Sequence, residues 1–299
     1  MADPKWDDLR VFLAVAREES LSGAGRLVQL DPATVGRRIA RLETALATPL
    51  FQKSPRGYLL TQAGQRLLDR AAAMETAMLG LRDDISNTAG GLTGQIRLGA
   101  PDGAANYLLP QVCAAICTDN PGLEVQLVAL PRVFNLSKRE ADMAVTVSPP
   151  ATGRLTVQKL SEYRLHLAAS QAYIAQYGQP KTVQDLRQHK IIGYIPDLIF
   201  DKELDYLSEI GSPQVDFASN SVSVQINWAR GGAGLTIAHD FALPSAPELR
   251  KVMTKTVSLT RSFYLVRHAD DRKIARLSRF AEELASRIPR EIARLEALT

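Results

Sequence analysis

Cysteine occurs only twice in the 299 residues, as Cys113 and Cys117, so no disulfide framework staples this chain and an oxidised secreted scaffold is excluded. No stretch of eighteen apolar residues is present to span a bilayer. The first residues, MADPKWDDLRVF, carry acids and Trp6 where a secretory signal needs a basic start and an apolar core. The chain is therefore expected in the cytoplasm, without a membrane partner. The four histidines, His166, His189, His239 and His268, are scattered with no second ligand at metal spacing, so neither a metal nor another cofactor is expected. Gly231-Gly232-Ala233-Gly234 lacks the lysine and hydroxyl residue of a phosphate loop and follows a helical stretch instead of opening one. No G-x-S-x-G elbow occurs. The reading is that of a chain without a catalytic site.

What remains is ordinary globular composition, 45% hydrophobic and 23% charged, long enough for two or three units. A net charge of +4 is mild, but its placement is not. Five basic residues, Arg37, Arg38, Arg41, Lys53 and Arg56, face one acid, Glu43, between positions 37 and 56. Before them, Leu9, Phe12, Leu13 and Ala16 fall on one helical stripe. Ser20 can cap a second helix burying Leu21, Ala24, Leu27 and Val28. Asp31 and Pro32 suit the start of a third, in which Val35, Ile39, Leu42 and Leu46 form an apolar arc opposite Thr34, Arg37 and Arg41. Leu50 to Ser54 and Tyr58 to Leu60 read as strands about a Pro55-Arg56-Gly57 turn. Three short helices followed by a basic hairpin fit a helix-turn-helix with a wing, a unit built to meet the grooves of DNA. A solvated basic face is the bland alternative.

From Asp8 to Leu68 the sequence resembles LysR-type transcriptional regulators, in the segments SLSGAGRL, PATVGRRIARLE and PLFQKSPRGYLLTQAG and their spacing. The resemblance implies a winged helix-turn-helix head over residues 1–61 that binds double-stranded DNA through Pro32, Ala33, Thr34, Gly36, Arg37, Arg38, Arg41, Lys53, Ser54 and Arg56. Gly36 stands where the family often has serine, so one hydroxyl contact is missing, and Gly23 and Gly25 weaken the second helix by roughly 1 kcal/mol each relative to alanine.

After Thr61, a cap, residues 62–89 read as one long helix in which Leu67, Ala71, Met74, Met78, Leu81 and Ile85 are spaced as a heptad seam. Such a seam packs either on its own chain or on a partner helix, and the family resemblance favours a homodimer through this helix and a homotetramer beyond it. Ala89 to Gly94 is a flexible break.

Beyond it, strands at Gln95–Gly99, Leu123–Ala129 and Ala141–Val147 alternate with helices at Ala104–Thr118 and near Leu136–Arg139, which predicts parallel sheet. Further strands are read at Leu165–Ala169, Ile191–Ile195, Val215–Ala218, Leu235–Ala238 and Val257–Val266, and helices at Gln171–Tyr177, Val222–Arg230 and Ile274–Ile288, the last kinked by Pro289. Cys113 and Cys117 lie one turn apart, with Cys113 on an apolar stripe, a structural arrangement. The segments IRLGAPDGAANYLLP, EADMAV, ASQAYIAQYG with DLRQH, and GGAGLTIAH resemble the LysR effector domain, an α/β fold of two lobes like that of type 2 periplasmic binding proteins. That places a regulatory domain at 93–299, with lobe I near 93–163 and 267–299 and lobe II near 164–266. Ligands of such folds sit beyond the carboxyl ends of strands, here Ala100, Pro101, Asp102 and Gly103, Thr146, Val147 and Ser148, then Ile195, Asp197, Asn220, Ser221 and His239. Helix starts near Gly103 and Ser221 suit a small effector bearing a carboxylate, with Asp102 arguing against a simple anion pocket. RNA polymerase is a further partner the resemblance admits. A solute-binding module or small-molecule enzyme is the competing reading.

Overall fold

The computed structural model describes residues 3–54, 57–86, 91–129, 140–151, 154–211 and 215–299. The chain divides into two compact units, one comprising Met1–Thr88 and the other formed by nearly all that follows.

The first unit contains α1 (Trp6–Glu18), α2 (Leu21–Val28), α3 (Pro32–Leu46), the strands β1 (Phe51–Ser54) and β2 (Gly57–Leu60), and α4 (Gln62–Ser86). Its boundaries follow from local chemistry. Ser20 Oγ accepts from Gly23 N at 3.0 Å, and Asp31 Oδ1 accepts from Thr34 N at 2.8 Å, each satisfying a first-turn donor that the helix itself cannot. Each of the three helices ends on a left-handed residue, Glu19, Gln29 and Ala47. Phe12, Leu13, Val15, Val35 and Leu42 are wholly buried between the helices. Leu27, expected inside, is 59% exposed, because an eight-residue helix offers only a two-turn contact face, taken up by Leu21, Ala24 and Val28. Gly25 gains in packing what it costs in propensity, since a Cβ there would lie 2.5 Å from Leu30 O. The hairpin pairs Phe51 with Leu60 through Ser54 with Gly57. It is docked on the α1–α2 corner by Tyr58 N donating to Glu19 O at 2.8 Å. Gly57, at φ +117°, approaches the same carbonyl too closely for any side chain.

In the second unit the elements are β3 (Gly94–Ala100), α5 (Asp102–Tyr107), α6 (Leu109–Asp119), β4 (Leu123–Ala129), β5 (Met143–Thr146), β6 (Leu155–Ser170), α7 (Gln171–Tyr177), β7 (Ile191–Gly193), α8 (Tyr206–Glu209), β8 (Phe217–Ala218), α9 (Val222–Arg230), β9 (Leu235–His239), β10 (Leu249–Lys251), β11 (Ser258–His268) and α10 (Ala275–Glu296). The main sheet has the order β4-β3-β5-β11-β6-β9-β7-β8, with β10 paired to β6. Its two ends are parallel, β4-β3-β5 and β9-β7-β8, as strand–helix alternation predicts. The long β6 and β11 run antiparallel to each other through the middle and join the two ends, so the sheet belongs to two α/β lobes sharing a pair of crossing strands. The register of that pair shifts between Phe263 and Tyr264.

The single helix expected at Ala104–Thr118 is two. Leu108 departs from helical geometry and Pro110, which has no N–H to donate, opens the next helix. The helix expected to kink at Pro289 continues through it: α10 runs to Glu296, with Ile288, Ile292 and Leu295 buried on either side of the proline, so packing outweighs the one backbone hydrogen bond lost. Along α10, Arg287 donates to Asp119 of α6 at 2.6 Å, while Glu296 accepts from Arg164 N of β6 at 2.8 Å. One helix thereby touches both α6 and the central strand β6. The helix read near Leu136–Arg139 lies outside the described residues. Among those residues no helix is long and apolar enough to cross a membrane.

Candidate nucleic-acid interface and effector site

At the start of α3, Pro32, Ala33 and Arg37 are exposed and Thr34, Gly36 and Arg38 half-buried. Thr34 Oγ1 accepts from Arg37 Nη2 at 2.7 Å, which holds that guanidinium against the first turn. A Cβ on Gly36 would meet only Leu21 Cδ1, at 3.5 Å, so a serine fits there without displacing anything. Arg38 borders a shallow recess with Asp7 and Arg10 of α1, and Arg10 is an exposed cation that the sequence reading did not single out.

Arg41 is placed differently from expectation. Its Nε donates to Asp8 Oδ2 at 2.7 Å and its Nη2 to the other oxygen, and Asp8 is only 2% exposed. The buried carboxylate holds the guanidinium charged and pushes its pKa up. Arg41 thus fastens α3 to α1, which a helical-wheel projection of α3 alone does not reveal, since the partner lies on another helix. On the hairpin, Lys53 is exposed with Nζ 5.9 Å above the Tyr58 ring, and Ser54 Oγ donates to Gly57 O at 3.3 Å. Arg56 lies outside the described residues. The result is a cationic edge made of Arg37 and Arg38 with Lys53 on the neighbouring hairpin.

The heptad seam of α4 divides in two. Ala71 is wholly buried in the head's own core and Leu67 packs against that core, while Arg17 of α1 clasps Glu75 of α4 with both terminal nitrogens. Neither Leu67 nor Ala71 is free to form a seam with a second helix. Met74, Met78 and Leu81 are 47%, 45% and 50% exposed. The side chain of Ile85 is not among those described.

In the regulatory unit several of the predicted residues meet across the two lobes. Asp102, at the start of α5, turns one oxygen toward the start of α9. That oxygen accepts from Ser221 Oγ at 3.1 Å, Ser223 N at 3.0 Å and Ser223 Oγ at 3.2 Å. The α9 terminus expected to receive a ligand carboxylate therefore receives the protein's own. Gly103 faces the His239 ring, which a Cβ there would approach to 3.1 Å. Ser148 Oγ donates to Asp201, a residue without a periodic signal in the sequence, and Thr146 Oγ1 donates to Ser148 O at 2.8 Å. Ala100 and Val147 are core residues; Pro101 precedes α5 as its cap, and Asn220 is half-buried beside α9. Ile195 and Asp197 belong to a short 3₁₀ turn on which Asp197 is exposed.

His239 is wholly enclosed, stacked on Tyr163 at 5.4 Å between ring centres and edged by Phe241 and Tyr206. Burial lowers its pKa to about 4, with Asp240 opposing, so the imidazole is neutral, and its Nδ1 has no hydrogen-bond partner among the described residues. The Cys113 thiol is pushed up to about 12 by burial and then by Cys117, which removes the thiolate character a redox sensor needs.

One recess in this unit lies in lobe II beside the carboxyl end of β7. It is a cavity of about 450 Å³ whose wall includes Ile192, Tyr194, Leu204, Tyr206, Gln225 and Ile237. Tyr194 and Pro196, which line it, flank the predicted Ile195, which does not. Tyr206 sits on a four-residue helix, too short for any period to show. Among the described residues no group of His, Cys, Asp and Glu could hold a metal ion.

Comparison with known proteins accords with this arrangement. Residues 6–65 match the bacterial regulatory helix-turn-helix protein of the lysR family, and residues 89–289 match the LysR substrate binding domain. The transcriptional activator TtdR of Escherichia coli (strain K12) is 26% identical over 249 residues, covering 80% of this chain and 78% of its own. The fold is that of full-length AphB, a virulence activator from Vibrio cholerae (TM-score 0.58, 23% identity, 94% of this chain and 99% of the other). It is also that of a full-length OxyR variant from Pseudomonas aeruginosa (TM-score 0.72, 16% identity, 96% and 95%). With a helix-turn-helix head presenting a cationic helix edge, and a two-lobed α/β domain behind it, the chain belongs to the LysR family of DNA-binding transcriptional regulators controlled by small-molecule effectors.

Proposed function

We propose that the start of α3 enters the major groove, with Thr34 and Arg37 at base edges and Arg38 on base or phosphate. Pro32, Ala33 and Gly36 then allow the backbone to approach, and Lys53, Ser54 and Arg56 on the hairpin take phosphates or the minor groove. The observation that carries this reading is the exposed Arg37, held by Thr34 on the leading turn of a capped helix. Arg41 contributes by fixing the pitch of α3 against α1, not as an independent phosphate anchor. The division of labour is a head over residues 1–61, a linker helix over 62–89 and an effector-binding domain over 93–299.

Two heads joined through α4 bind two half-sites, the second contact becoming intramolecular. We place that dimer seam on Met74, Met78 and Leu81, with Ile85 continuing the heptad, and a tetramer of such dimers is the larger assembly. An effector changes transcription by preferring one arrangement of the two lobes over another. An effector carboxylate at α9 would have to displace Asp102. Since the TtdR relative is a transcriptional activator, RNA polymerase is the partner expected here, and the cytoplasm is the compartment where such a regulator meets its operator. The test is fluorescence anisotropy with duplex DNA from the region upstream of the protein's own gene. Arg37→Ala is expected to lower affinity and flatten its salt dependence, and an unchanged titration overturns the groove assignment.

A further inference from the structure

A helix start is the commonest place for a protein to bind a small anion, because its first amides lack partners. In α9 two of those amides, Ser223 N and Val224 N, already have partners. Ser221 Oγ caps Val224 N at 3.4 Å and also donates to Asp102, and the amide and hydroxyl of Ser223 converge on the same Asp102 oxygen. The other Asp102 oxygen accepts from Asn106 Nδ2 at 3.2 Å. The anion position is thus filled by a residue 119 positions earlier in the chain.

The cavity of about 450 Å³ in lobe II is within the range of small-molecule sites. Its wall mixes aliphatic and aromatic side chains, among them Ile192, Leu204, Ile237, Tyr194 and Tyr206, with the polar groups of Asp205, Ser208 and Gln225. Among the described residues that line it none is lysine, arginine or histidine, and Asp205 is the one carboxylate. An anion entering would be stripped of water without a cation to meet it and would be repelled by Asp205. The polar groups present suit a neutral guest. Gln225 spends its amide nitrogen on Ser219 O at 2.7 Å, which leaves its carbonyl as the accepting side. Burial pushes the Tyr194 and Tyr206 hydroxyls up and keeps them protonated, and the Tyr206 hydroxyl interacts with that of Tyr163.

We propose that the effector of this protein is a small, uncharged, mainly apolar molecule carrying a hydroxyl or carbonyl group, bound in the lobe II cavity, and that Asp102 holds the anion position in place of a ligand carboxylate. The proposal rests on the reading of this domain as effector-binding and names the chemical class it takes.

Three probes of matched shape separate the classes: 2-naphthalenemethanol, 2-naphthoate and 2-naphthylmethylamine, titrated into the full chain by calorimetry and ligand-observed NMR. The alcohol is expected to bind saturably and at least tenfold more tightly than either ion. Ile199→Trp, which adds bulk at the cavity wall from a non-helical segment, is expected to abolish that binding with an unchanged circular dichroism spectrum. Asp102→Ala is expected to raise naphthoate affinity at least tenfold by freeing α9. Equal or tighter binding of either ion by the unmodified protein overturns the proposal, as does binding by none of the three, or alcohol binding indifferent to Ile199→Trp. Duplex DNA titrated into the same samples keeps the two readings apart. Failure there removes the regulator assignment of the head and leaves the cavity result intact.

Discussion

Two helix starts summarise how the units differ. Asp31 caps α3 from three residues away, whereas α9, capped locally by Ser221, also has its first turn closed by Asp102 from another lobe, 119 residues before Ser221. The first arrangement is local and leaves the helix end open to solvent for an outside partner. The second is long-range and closes the helix end with an inside one. In a LysR-type regulator this is a division between a surface that must stay available to DNA and an interior whose state must change with a ligand.

The comparison can be broken most severely at His239, a buried ionisable group of the interior. Its folded pKa of about 4 lies below the usual histidine value of 6.5, because burial penalises the imidazolium. Stability is therefore intact above pH 6.5 and falls as the pH drops toward 4, by about 3 kcal/mol in all. His239→Phe should remove that slope in urea unfolding of the regulatory unit, and an unchanged slope would show that the ring is not held neutral.

Next in size is the outer face of α4. Met78→Glu is expected to weaken the proposed α4 dimer by about a hundredfold, since a charge would replace apolar contact in that seam. Analytical ultracentrifugation reads this directly. Ala71→Glu should instead unfold the head, because Ala71 lies in the head's own core.

Arg41 and Arg37 form the sharpest contrast within one helix. Arg41→Ala leaves a buried Asp8 carboxylate unpaired and should cost the head about 2 kcal/mol in thermal or denaturant unfolding. Arg37→Ala should change stability by less than about 0.5 kcal/mol. Its DNA affinity should nevertheless fall about tenfold, or about 1.4 kcal/mol. If Arg41→Ala loses only DNA affinity with the head fully stable, its assignment as a fastener is wrong. The smallest effect is expected from Gly36→Ser, for which the space exists: a gain of a few tenths of a kcal/mol in head stability, from helix propensity alone.

Most of the head was legible in sequence. Ser20, Asp31, Pro32 and the stripe through Val35, Ile39 and Leu42 act within a turn or two of their own position, so spacing reports them. The exceptions are instructive. Leu27 is exposed because its helix is too short to bury a wide face, and Arg41 is occupied because Asp8 lies on a helix that no spacing rule connects to it. In the regulatory unit, α7 and α9 were legible to the residue, whereas β10 and the first half of β6 were not, since short or edge-exposed strands carry little alternation. Of the candidate site, the loops at Asp102, Ile195, Ser221 and His239 were found by analogy of fold. The contacts of Ser223, Tyr194 and Tyr206 were not legible, because they depend on what faces these residues in the folded chain.

By itself the sequence determined the capped, amphipathic α3 with its cationic edge and the apolar repeat of α4, since both follow from interactions between near neighbours along the chain. Tertiary structure alone decided which arginine is free, which part of α4 is left for a partner, and that the carboxylate at α9 is Asp102. Each of those outcomes joins residues tens to more than a hundred positions apart, and such pairings exist only once the chain has folded.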